Sequence, residues 1–361
     1  MSEPPPAETP PAEEPEPDVA RVAPLPQPRS PLPVFVGLFF VVLMLDAVVS
    51  LAQGGWNPSV LRLVFGPCLV AGSVTIVWIL LRDLRAGRRL HAVVGLVVLA
   101  AVFVWISSGS LVRAMLFPGA RQPLPKAGTT LESGARVIGY TTADGIALRG
   151  LFVPGFAAAP RPVLVYFHGN AECAAWNEEI AWLFARQGLD VFVAEFRGYG
   201  GCAGSPHEAG LLADGRAALA AVERELGVSP QDVVLAGRSL GTGVAAALAG
   251  EGHGRALVLL SPYTSITHMA SEMVPAPIAW LAVRDSFDSR ARLAGGSQPI
   301  LVVHGTADRV IPYAFGAALV ESLPESRVRF VSLDGVGHND LFDRAAHTIV
   351  RETVRLVKGA R

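Results

Sequence analysis

A serine lies in the pentapeptide Gly237-Arg238-Ser239-Leu240-Gly241, between the apolar run 232–236 and the small-residue run 242–249. Glycines on both sides of a serine, between a strand and a helix, allow the sharp turn that exposes the hydroxyl at the end of a sheet. The amino end of the following helix helps to hold the negative charge that develops beside this serine. The pattern therefore predicts that Ser239 is the nucleophile of an acyl-transfer reaction.

Serine is a weak nucleophile at neutral pH and needs a base that is itself oriented by an acid. Asp308 comes just after the apolar run 300–303, and His338 lies in Gly337-His338-Asn339-Asp340 after the run 328–333. Serine, aspartate and histidine in this chain order, each at the end of a strand, are typical of one class of hydrolases. We predict that these three residues form a catalytic triad.

The negative oxygen of a tetrahedral intermediate needs two hydrogen-bond donors. We expect the backbone N–H of Leu240 to be one donor, because this residue follows the nucleophile. The other donor should come from His168-Gly169-Asn170-Ala171, which follows the apolar run 163–167. The N–H of Ala171 is the first choice, and Asn170 is the alternative.

Two further histidines, His168 and His304, also follow predicted strands. We interpret both as residues that order their loops, although His168 is also a possible base. The remaining histidines lack the spacing of metal ligands, so neither a metal site nor a cofactor is predicted.

The elements that position these residues are short apolar strands that alternate with helices. This alternation indicates an α/β fold with a mostly parallel sheet and helices on both faces. Ser205-Pro206-His207-Glu208 has the pattern of a capping box and predicts a helix that starts there. A helix is also expected around 174–187. The predicted strands cover residues 146–153, 162–167, 189–196, 232–236, 256–260, 300–303 and 328–333.

The composition of the whole chain excludes several classes of protein. Of 361 residues, 51% are hydrophobic and 17% are charged, with a net charge of −1, whereas soluble chains usually carry about 25% charged residues. The near-neutral balance argues against nucleic-acid binding, which needs a basic face. Three cysteines exclude a disulfide-stapled scaffold. The mean hydropathy of +0.41 indicates that part of the chain lies in a membrane.

The apolar residues are concentrated in one part of the chain. Residues 34–112 contain three runs that are long enough to cross about 30 Å of hydrocarbon as helices. Asp46 lies in the first run, either as a functional acid or simply among the three helices. Its cost of about 3 kcal/mol is smaller than the gain from its apolar neighbours. The runs cover 34–52, 63–81 and 92–112.

The other segments are polar. Residues 1–33 hold twelve prolines and mostly acidic charges, which indicates a disordered tail or a docking ligand. Residues 113–134 are predicted as a linker, and residues 135–361 as the catalytic domain. Four arginines between the second and third apolar runs favour the cytoplasmic side. We therefore predict an integral membrane protein with an extracytoplasmic catalytic domain. These arginines are Arg82, Arg85, Arg88 and Arg89.

The motifs taken together, over about 135–358, resemble the membrane-tethered α/β-hydrolase-domain group of serine esterases and lipases, which is related to serine aminopeptidases. The resemblance implies an α/β-hydrolase fold, a Ser239–His338–Asp308 triad, and lipid esters, lysophospholipids or acyl thioesters as substrates. Members of this group usually have one membrane anchor or none, so three spans depart from its pattern. The matching motifs are His168–Ala171, Phe196–Gly200, Gly237–Gly241, Ser261-Pro262, His304-Gly305 with Asp308, and Gly337–Asp340.

We therefore expect a membrane-anchored serine hydrolase that acts on lipid-derived or long-chain acyl esters or thioesters through an acyl-enzyme. The insertion after the run 256–260 contains Met269, Met273 and Trp280, which line an acyl pocket or lid, or pack as ordinary helices. The sequence gives no indication of the oligomeric state.

Two alternative functions and one question about thiols remain open. One alternative is a serine aminopeptidase-like peptidase, for which Glu172 and Glu179 offer acidic groups for a substrate N-terminus. The other is a non-catalytic membrane scaffold, which has no need of an intact triad pattern. Cys173 and Cys202 follow neighbouring strands and either form a disulfide or stay unpaired.

Overall fold

The computed structural model of the protein describes residues 117–120 and 122–359. In this part of the chain, helices and strands alternate after an initial pair of strands. The strands are β1 (Arg136–Thr141), β2 (Ala147–Val153), β3 (Val163–Phe167), β4 (Asp190–Ala194), β5 (Val234–Arg238), β6 (Ala256–Leu260), β7 (Ile300–Gly305) and β8 (Val328–Leu333). The helices are α1 (Glu178–Ala185), α2 (Glu208–Leu226), α3 (Leu240–Gly250), α4 (Ile266–Ser271), α5 (Ala276–Ala282), α6 (Ser289–Leu293), α7 (Tyr313–Glu321) and α8 (Leu341–Gly359), with short 3₁₀ helices at Ala174–Asn177 and Glu325–Arg327.

The eight strands of the described residues form one sheet in the order β1-β2-β4-β3-β5-β6-β7-β8. β1 is antiparallel to β2, and β2 is antiparallel to β4. All other neighbours are parallel. The predicted mostly parallel sheet is therefore confirmed.

The central strands are apolar along their whole length because both faces of the sheet are covered. Every residue of β3, β4, β5 and β6 is buried. Alternate residues of β3 enter different cores, with Val165 and Phe167 on one face and Leu164 and Tyr166 on the other. Side chains of α2 and α3 complete the first core, and those of α1 and α8 complete the second. Helices thus lie on both faces, as the uniform apolar runs predicted.

One predicted helix boundary is wrong. The capping box placed the start of a helix at Ser205, but α2 starts at Glu208 and His207 is extended, with φ −164°. The N–H of Glu208, in the first turn of the helix, donates to the carboxylate of Asp285 over 2.9 Å. The Glu208 carboxylate accepts from the Phe287 N–H over 3.0 Å. The amino end of α2 is therefore capped by a distant segment, and the local box is not used.

The parallel strands bring their carboxyl ends to one edge of the sheet, which we call the carboxyl edge. The segments that follow β3, β5, β7 and β8 at this edge contain the residues singled out for chemistry. The segment before β1, part of the predicted linker, also packs on the domain, because Phe117, Ala120 and Leu124 are buried.

No helix of residues 117–120 and 122–359 has the length and apolar character needed to cross a bilayer. The predicted tail at 1–33 and the three predicted spans at 34–112 lie outside the described residues.

Candidate active site

Ser239 occupies a strained turn between β5 and α3. Its backbone has φ 51° and ψ −118°, a region that residues with a side chain rarely adopt. Its N–H donates to the Leu260 carbonyl over 2.9 Å, which anchors the turn to β6. A Cβ atom on Gly241 would lie 2.0 Å from the Phe167 carbonyl oxygen, and one on Gly237 would lie 2.3 Å from the Gly241 carbonyl oxygen. Both glycines are therefore required for the turn that the pentapeptide predicted.

Asp308 and His338 lie side by side, although 30 residues separate them in the sequence. The Nδ1–H of His338 donates to Asp308 Oδ2 over 2.7 Å, and both residues are buried. Asp308 Oδ1 accepts the backbone N–H groups of Val310 at 2.9 Å and Ile311 at 2.8 Å. With Nδ1 engaged, Nε2 is the nitrogen of His338 that can act as a base.

Asp308 is held in its ionised form. Burial acts to raise the pKa of its carboxyl, but hydrogen bonds from His304 and His338 and the charge of His338 outweigh burial and lower the pKa well below its usual range. A carboxylate that stays ionised at neutral pH stabilises the imidazolium that forms when His338 accepts a proton.

His304 supports the loop that carries Asp308. It is fully buried, and its Nε2 lies 2.8 Å from the Ile311 carbonyl oxygen and 3.5 Å from Asp308 Oδ2. Both neighbours belong to the same loop, so this position agrees with the interpretation of His304 as a loop-ordering residue.

Arg238 joins the turn of Ser239 to two other loops. Its Nη2–H donates to the carbonyl oxygen of His338 over 3.0 Å, and its Nη1 contacts Glu172 Oε1 at 2.5 Å. Glu172 Oε2 accepts the N–H of Gly169 and a side-chain N–H of Asn177, each at 3.2 Å. This connection was not predicted from the sequence. Its one signal was an arginine at the end of an otherwise apolar strand.

The loop after β3 lies beside the nucleophile. A Cβ atom on Gly169 would be 3.5 Å from Ser239 Cβ. Ala171 has a positive φ of 57°, and its N–H lies 3.1 Å from the side-chain oxygen of Asn170. The Tyr199 hydroxyl donates to the same oxygen over 2.7 Å. Asn170 therefore acts as an acceptor here, and Leu240, the other predicted donor, is the first residue of α3.

A second buried acid–histidine pair packs against the loop that follows β3. His168 Nε2 lies 2.8 Å from Glu195 Oε1, and its Nδ1 lies 2.8 Å from the Gly169 carbonyl oxygen. The Glu195 carboxylate also accepts the N–H groups of Phe196 and Ala174, each at 3.0 Å. Burial acts to lower the pKa of His168, but the charge and hydrogen bond of Glu195 raise it overall. The position of His168 agrees with its predicted role in ordering the loop, whereas its partner Glu195 was not predicted.

The remaining predicted residues are spread more widely. Met269 is half-buried and packs against the core, whereas Met273 and Trp280 are 65% and 80% exposed. Cys173 and Cys202 are free thiols, and burial raises the pKa of both. The described part of the chain has no group of side chains that could hold a metal ion.

Solved structures share the fold at low sequence identity. A thermophilic esterase of Thermogutta terrifontis aligns with a TM-score of 0.51 and 22% identity, over 62% of this chain and 91% of its own. A Pyrococcus furiosus esterase aligns with a TM-score of 0.53 and 15% identity, over 66% and 97%. Together with the sheet order and the turn at Ser239, these similarities show the α/β-hydrolase fold.

Sequence relatives give the family. A family model described as serine aminopeptidase, S33, matches residues 158–294. The uncharacterized protein Rv2307c of Mycobacterium tuberculosis is 35% identical over 70% of this chain and 89% of its own length. The alpha/beta hydrolase domain-containing protein 17C of Mus musculus is 33% identical over 51% of this chain and 57% of its own. The chain therefore belongs to the serine aminopeptidase S33 family of α/β-hydrolases.

Proposed function

We propose that this protein is a membrane-anchored serine hydrolase that cleaves carboxylic esters or thioesters with lipid-derived or long acyl chains. The observation that carries the proposal is the buried Asp308–His338 hydrogen bond of 2.7 Å, at the same sheet edge as the strained turn of Ser239. An ionised aspartate behind a histidine, at the same sheet edge as a strained serine turn, is the arrangement that activates a serine hydroxyl.

The reaction proceeds in two steps through an acyl-enzyme. The Oγ of Ser239 attacks the carbonyl carbon of the ester while His338 Nε2 takes the hydroxyl proton. Asp308 stabilises the imidazolium that forms. The backbone N–H groups of Leu240 and Ala171 hold the oxyanion, after the Ala171 N–H leaves the side chain of Asn170. His338 then protonates the leaving alcohol or thiol, and an activated water releases the acid. General-base catalysis of this kind is worth about 10²–10⁴ in rate.

Glu172 favours an ester over a peptide with a free amino terminus. An aminopeptidase needs an available carboxylate near the nucleophile to bind the substrate ammonium group. Glu172 is already paired with Arg238 at 2.5 Å and accepts two further N–H groups. Glu179, in the first turn of α1, belongs to a cleft lined by Trp176 and Trp182. The pairing of Glu172 therefore supports the esterase reaction.

A non-catalytic scaffold is a weaker account of the same residues. Burying a carboxylate costs several kcal/mol unless it is paired, and Asp308 is buried against two histidines and two backbone amides. A scaffold gains nothing from such a group beside the strained serine turn.

The membrane anchor is part of the proposal because of the three apolar runs of residues 34–112. We propose that the catalytic domain lies on the extracytoplasmic side.

The test is covalent labelling of the full chain, purified in detergent, with a fluorophosphonate probe. We expect labelling of the wild type and complete loss in Ser239→Ala. Ser261→Ala is the matched control, because Ser261 also has a positive φ, 49°, at the end of the neighbouring strand β6. Equal labelling of Ser239→Ala and the wild type would refute the proposal. Nitrophenyl esters, acyl thioesters and aminoacyl anilides of increasing chain length would then identify the substrate class.

A further inference from the structure

The exposed large apolar side chains are concentrated at one edge of the molecule. Seven such side chains are exposed among the described residues. Only Phe156, 69% exposed, lies at the opposite edge, where its N–H donates to the carbonyl of Ala185 just before β4. The other six follow the carboxyl ends of β3, β6 and β7, in the segments that surround Ser239. They are Trp176, Met273, Ile278, Trp280, Leu281 and Val310.

Four of these six belong to the hairpin formed by α4 and α5. Its two ends meet at the carboxyl edge, where the N–H of Ile266 donates to the Ser286 carbonyl over 2.7 Å. Residues 273–283 are eleven consecutive residues without a charge, yet Ala279 is the only buried residue of α5. Apolar surface left in water costs about 25 cal/mol per Å². This helix is therefore built to meet another apolar surface rather than the core of its own domain.

The chain also enters the domain at this edge. The ring of Phe117 lies 6.5 Å from that of Phe287, which follows the hairpin. The carbonyl of Ala120 accepts the N–H of Gly200 at 2.8 Å, and Gln122 Oε1 accepts the indole N–H of Trp176 at 2.5 Å. Residues 117–120 and 122 thus lie along this edge, between the base of the hairpin and the exposed Trp176.

The length of the connection limits how far this edge can lie from the last apolar run. Residues 92–112 are twenty-one residues without a charge, and five residue steps separate Val112 from Phe117. A fully extended chain covers at most about 18 Å in five steps. A bilayer that holds residues 92–112 therefore lies close to the carboxyl edge.

We propose that the carboxyl edge faces the lipid bilayer and that the α4–α5 hairpin inserts its apolar side chains at the boundary between headgroups and acyl chains. The inference rests on the proposed esterase function and membrane anchor. Trp280 is suited to this boundary because its indole combines a large apolar ring with one N–H donor. Amphipathic elements of this kind sit about 5–10 Å into the boundary region. The ester substrate then reaches Ser239 from the lipid phase and not from bulk water.

The test uses the full chain reconstituted in phosphatidylcholine nanodiscs and compares the hydrolysis rates of two substrates. One is a long-chain nitrophenyl ester dissolved in the bilayer, and the other is water-soluble nitrophenyl acetate. We expect the double variant Met273→Ser/Trp280→Ser to lose at least about tenfold in hydrolysis of the bilayer ester, because even one large apolar side chain leaving the lipid accounts for a loss of this size. Hydrolysis of the acetate should stay unchanged. Phe156→Ser, which removes an aromatic side chain that is 69% exposed at the opposite edge, should alter neither.

A second measurement does not depend on activity. Brominated phospholipids quench tryptophans that enter the acyl region, so quenching of the wild type in brominated nanodiscs should exceed that of Trp280→Ser. Equal quenching of both proteins, or an equal loss on both substrates, overturns the inference. Two chains in each nanodisc, cross-linked through position 280, would show that a second copy covers the hairpin instead. If the wild type hydrolyses neither ester and takes no fluorophosphonate label, the proposed esterase function fails, and quenching alone decides the orientation.

Discussion

Asp308 illustrates how much of the candidate site depends on single atoms. One of its oxygens accepts from the Val310 and Ile311 amides, and the other accepts from His338. The first pair fixes the carboxylate on its loop, and the second fixes the ring orientation of His338. One oxygen of Asp308 therefore holds the loop, and the other oxygen orients His338. A substitution can change the second role and keep the first.

Asp308→Asn should disturb only the interaction with His338. The amide oxygen of asparagine can keep both backbone hydrogen bonds, but its NH₂ group faces His338 Nδ1 and imposes the wrong tautomer. We expect a fall of about 10³–10⁴ in kcat for a short ester, with little change in KM. The rate of fluorophosphonate labelling should fall in parallel, with folding checked by circular dichroism. A labelling rate within a factor of ten of the wild type would contradict this role.

His168 has a structural role that depends on its charge. Its two ring nitrogens face the Gly169 carbonyl and Glu195, and both partners are acceptors. Glu195 raises the pKa of His168 against the effect of burial, which favours an imidazolium paired with this carboxylate. This pair stabilises the loop that carries Ala171 from below.

Glu195→Gln should destabilise the protein in a pH-dependent way. Removing one partner of a buried ion pair typically costs about 3–5 kcal/mol. The pKa of folded His168 lies above its unfolded value of about 6.5, so the pair stabilises fully below pH 6.5 and progressively less as the pH rises through the folded pKa. Thermal unfolding of the full chain in detergent should show the largest difference from the wild type near pH 6. Glu251→Gln, which removes a largely exposed pair with Arg216, should have a small effect.

At the scale of elements, the close contact between β3 and α3 decides whether the serine turn can form. Gly241 in α3 approaches the carbonyl groups of Phe167 and His168, at 2.0 and 2.7 Å from its would-be Cβ. The Phe167 carbonyl cannot move freely, because β3 is paired on both sides up to this residue. The helix therefore reaches the sheet only with glycine at this position.

Gly241→Ala should push α3 away from β3 and displace Ser239. We expect a loss of at least about 1–3 kcal/mol in stability, the usual cost of overpacking, and a strong loss of probe labelling. Gly295→Ala is the matched control, since a Cβ there meets nothing within 4 Å. Comparable unfolding midpoints for the two variants would contradict the steric argument.

The elements that could be predicted from the sequence are those whose pattern reflects burial on both faces. β6 and β8 agree with their predicted bounds, and β5 was placed two residues early because Gly237 and Arg238 break its apolar pattern. β1 was missed, since its ends are exposed and it contains a glycine. The start of α2 was wrong because Asp285, 77 residues away, caps it.

The candidate site was predictable to a similar extent. Ser239, Asp308 and His338 each follow a strand, so chain order and strand ends were sufficient to propose them as candidates. Glu172, Glu195 and Arg238 act through partners on neighbouring strands or loops. Such partners become visible only when the order of the strands in the sheet is known.

At the scale of the whole molecule, the site, the point of chain entry and most exposed apolar side chains share the carboxyl edge. The opposite edge, where the parallel strands begin, carries Phe156 alone among the exposed large apolar residues of the described chain. In the orientation proposed above, this asymmetry gives the domain a preference for presenting its carboxyl edge to the bilayer.

Lengthening the connection should weaken this preference. Ten glycine and serine residues inserted after Arg113 allow the domain to move away from the bilayer and to rotate. We expect lower hydrolysis of the bilayer ester in nanodiscs, with unchanged hydrolysis of nitrophenyl acetate. An equal insertion after Gly295, in a loop far along the chain from the entry point, is the control. Unchanged hydrolysis of both esters would show that the short connection does not orient the domain.

The contact between Arg238 and Glu172 also bears on how substrate preference changes within such a fold. Arg238 neutralises a carboxylate that sits on the loop beside the nucleophile. Arg238→Gln releases that carboxylate as an anionic group for a substrate amine, at the cost of the bond to the His338 carbonyl. The ratio of aminoacyl ester to plain acyl ester hydrolysis should therefore rise in this variant even as both rates fall, and an unchanged ratio would argue otherwise. In the proposed function, a single substitution next to the nucleophile would separate an ester site from one open to amino-terminal substrates, a short evolutionary distance between two activities.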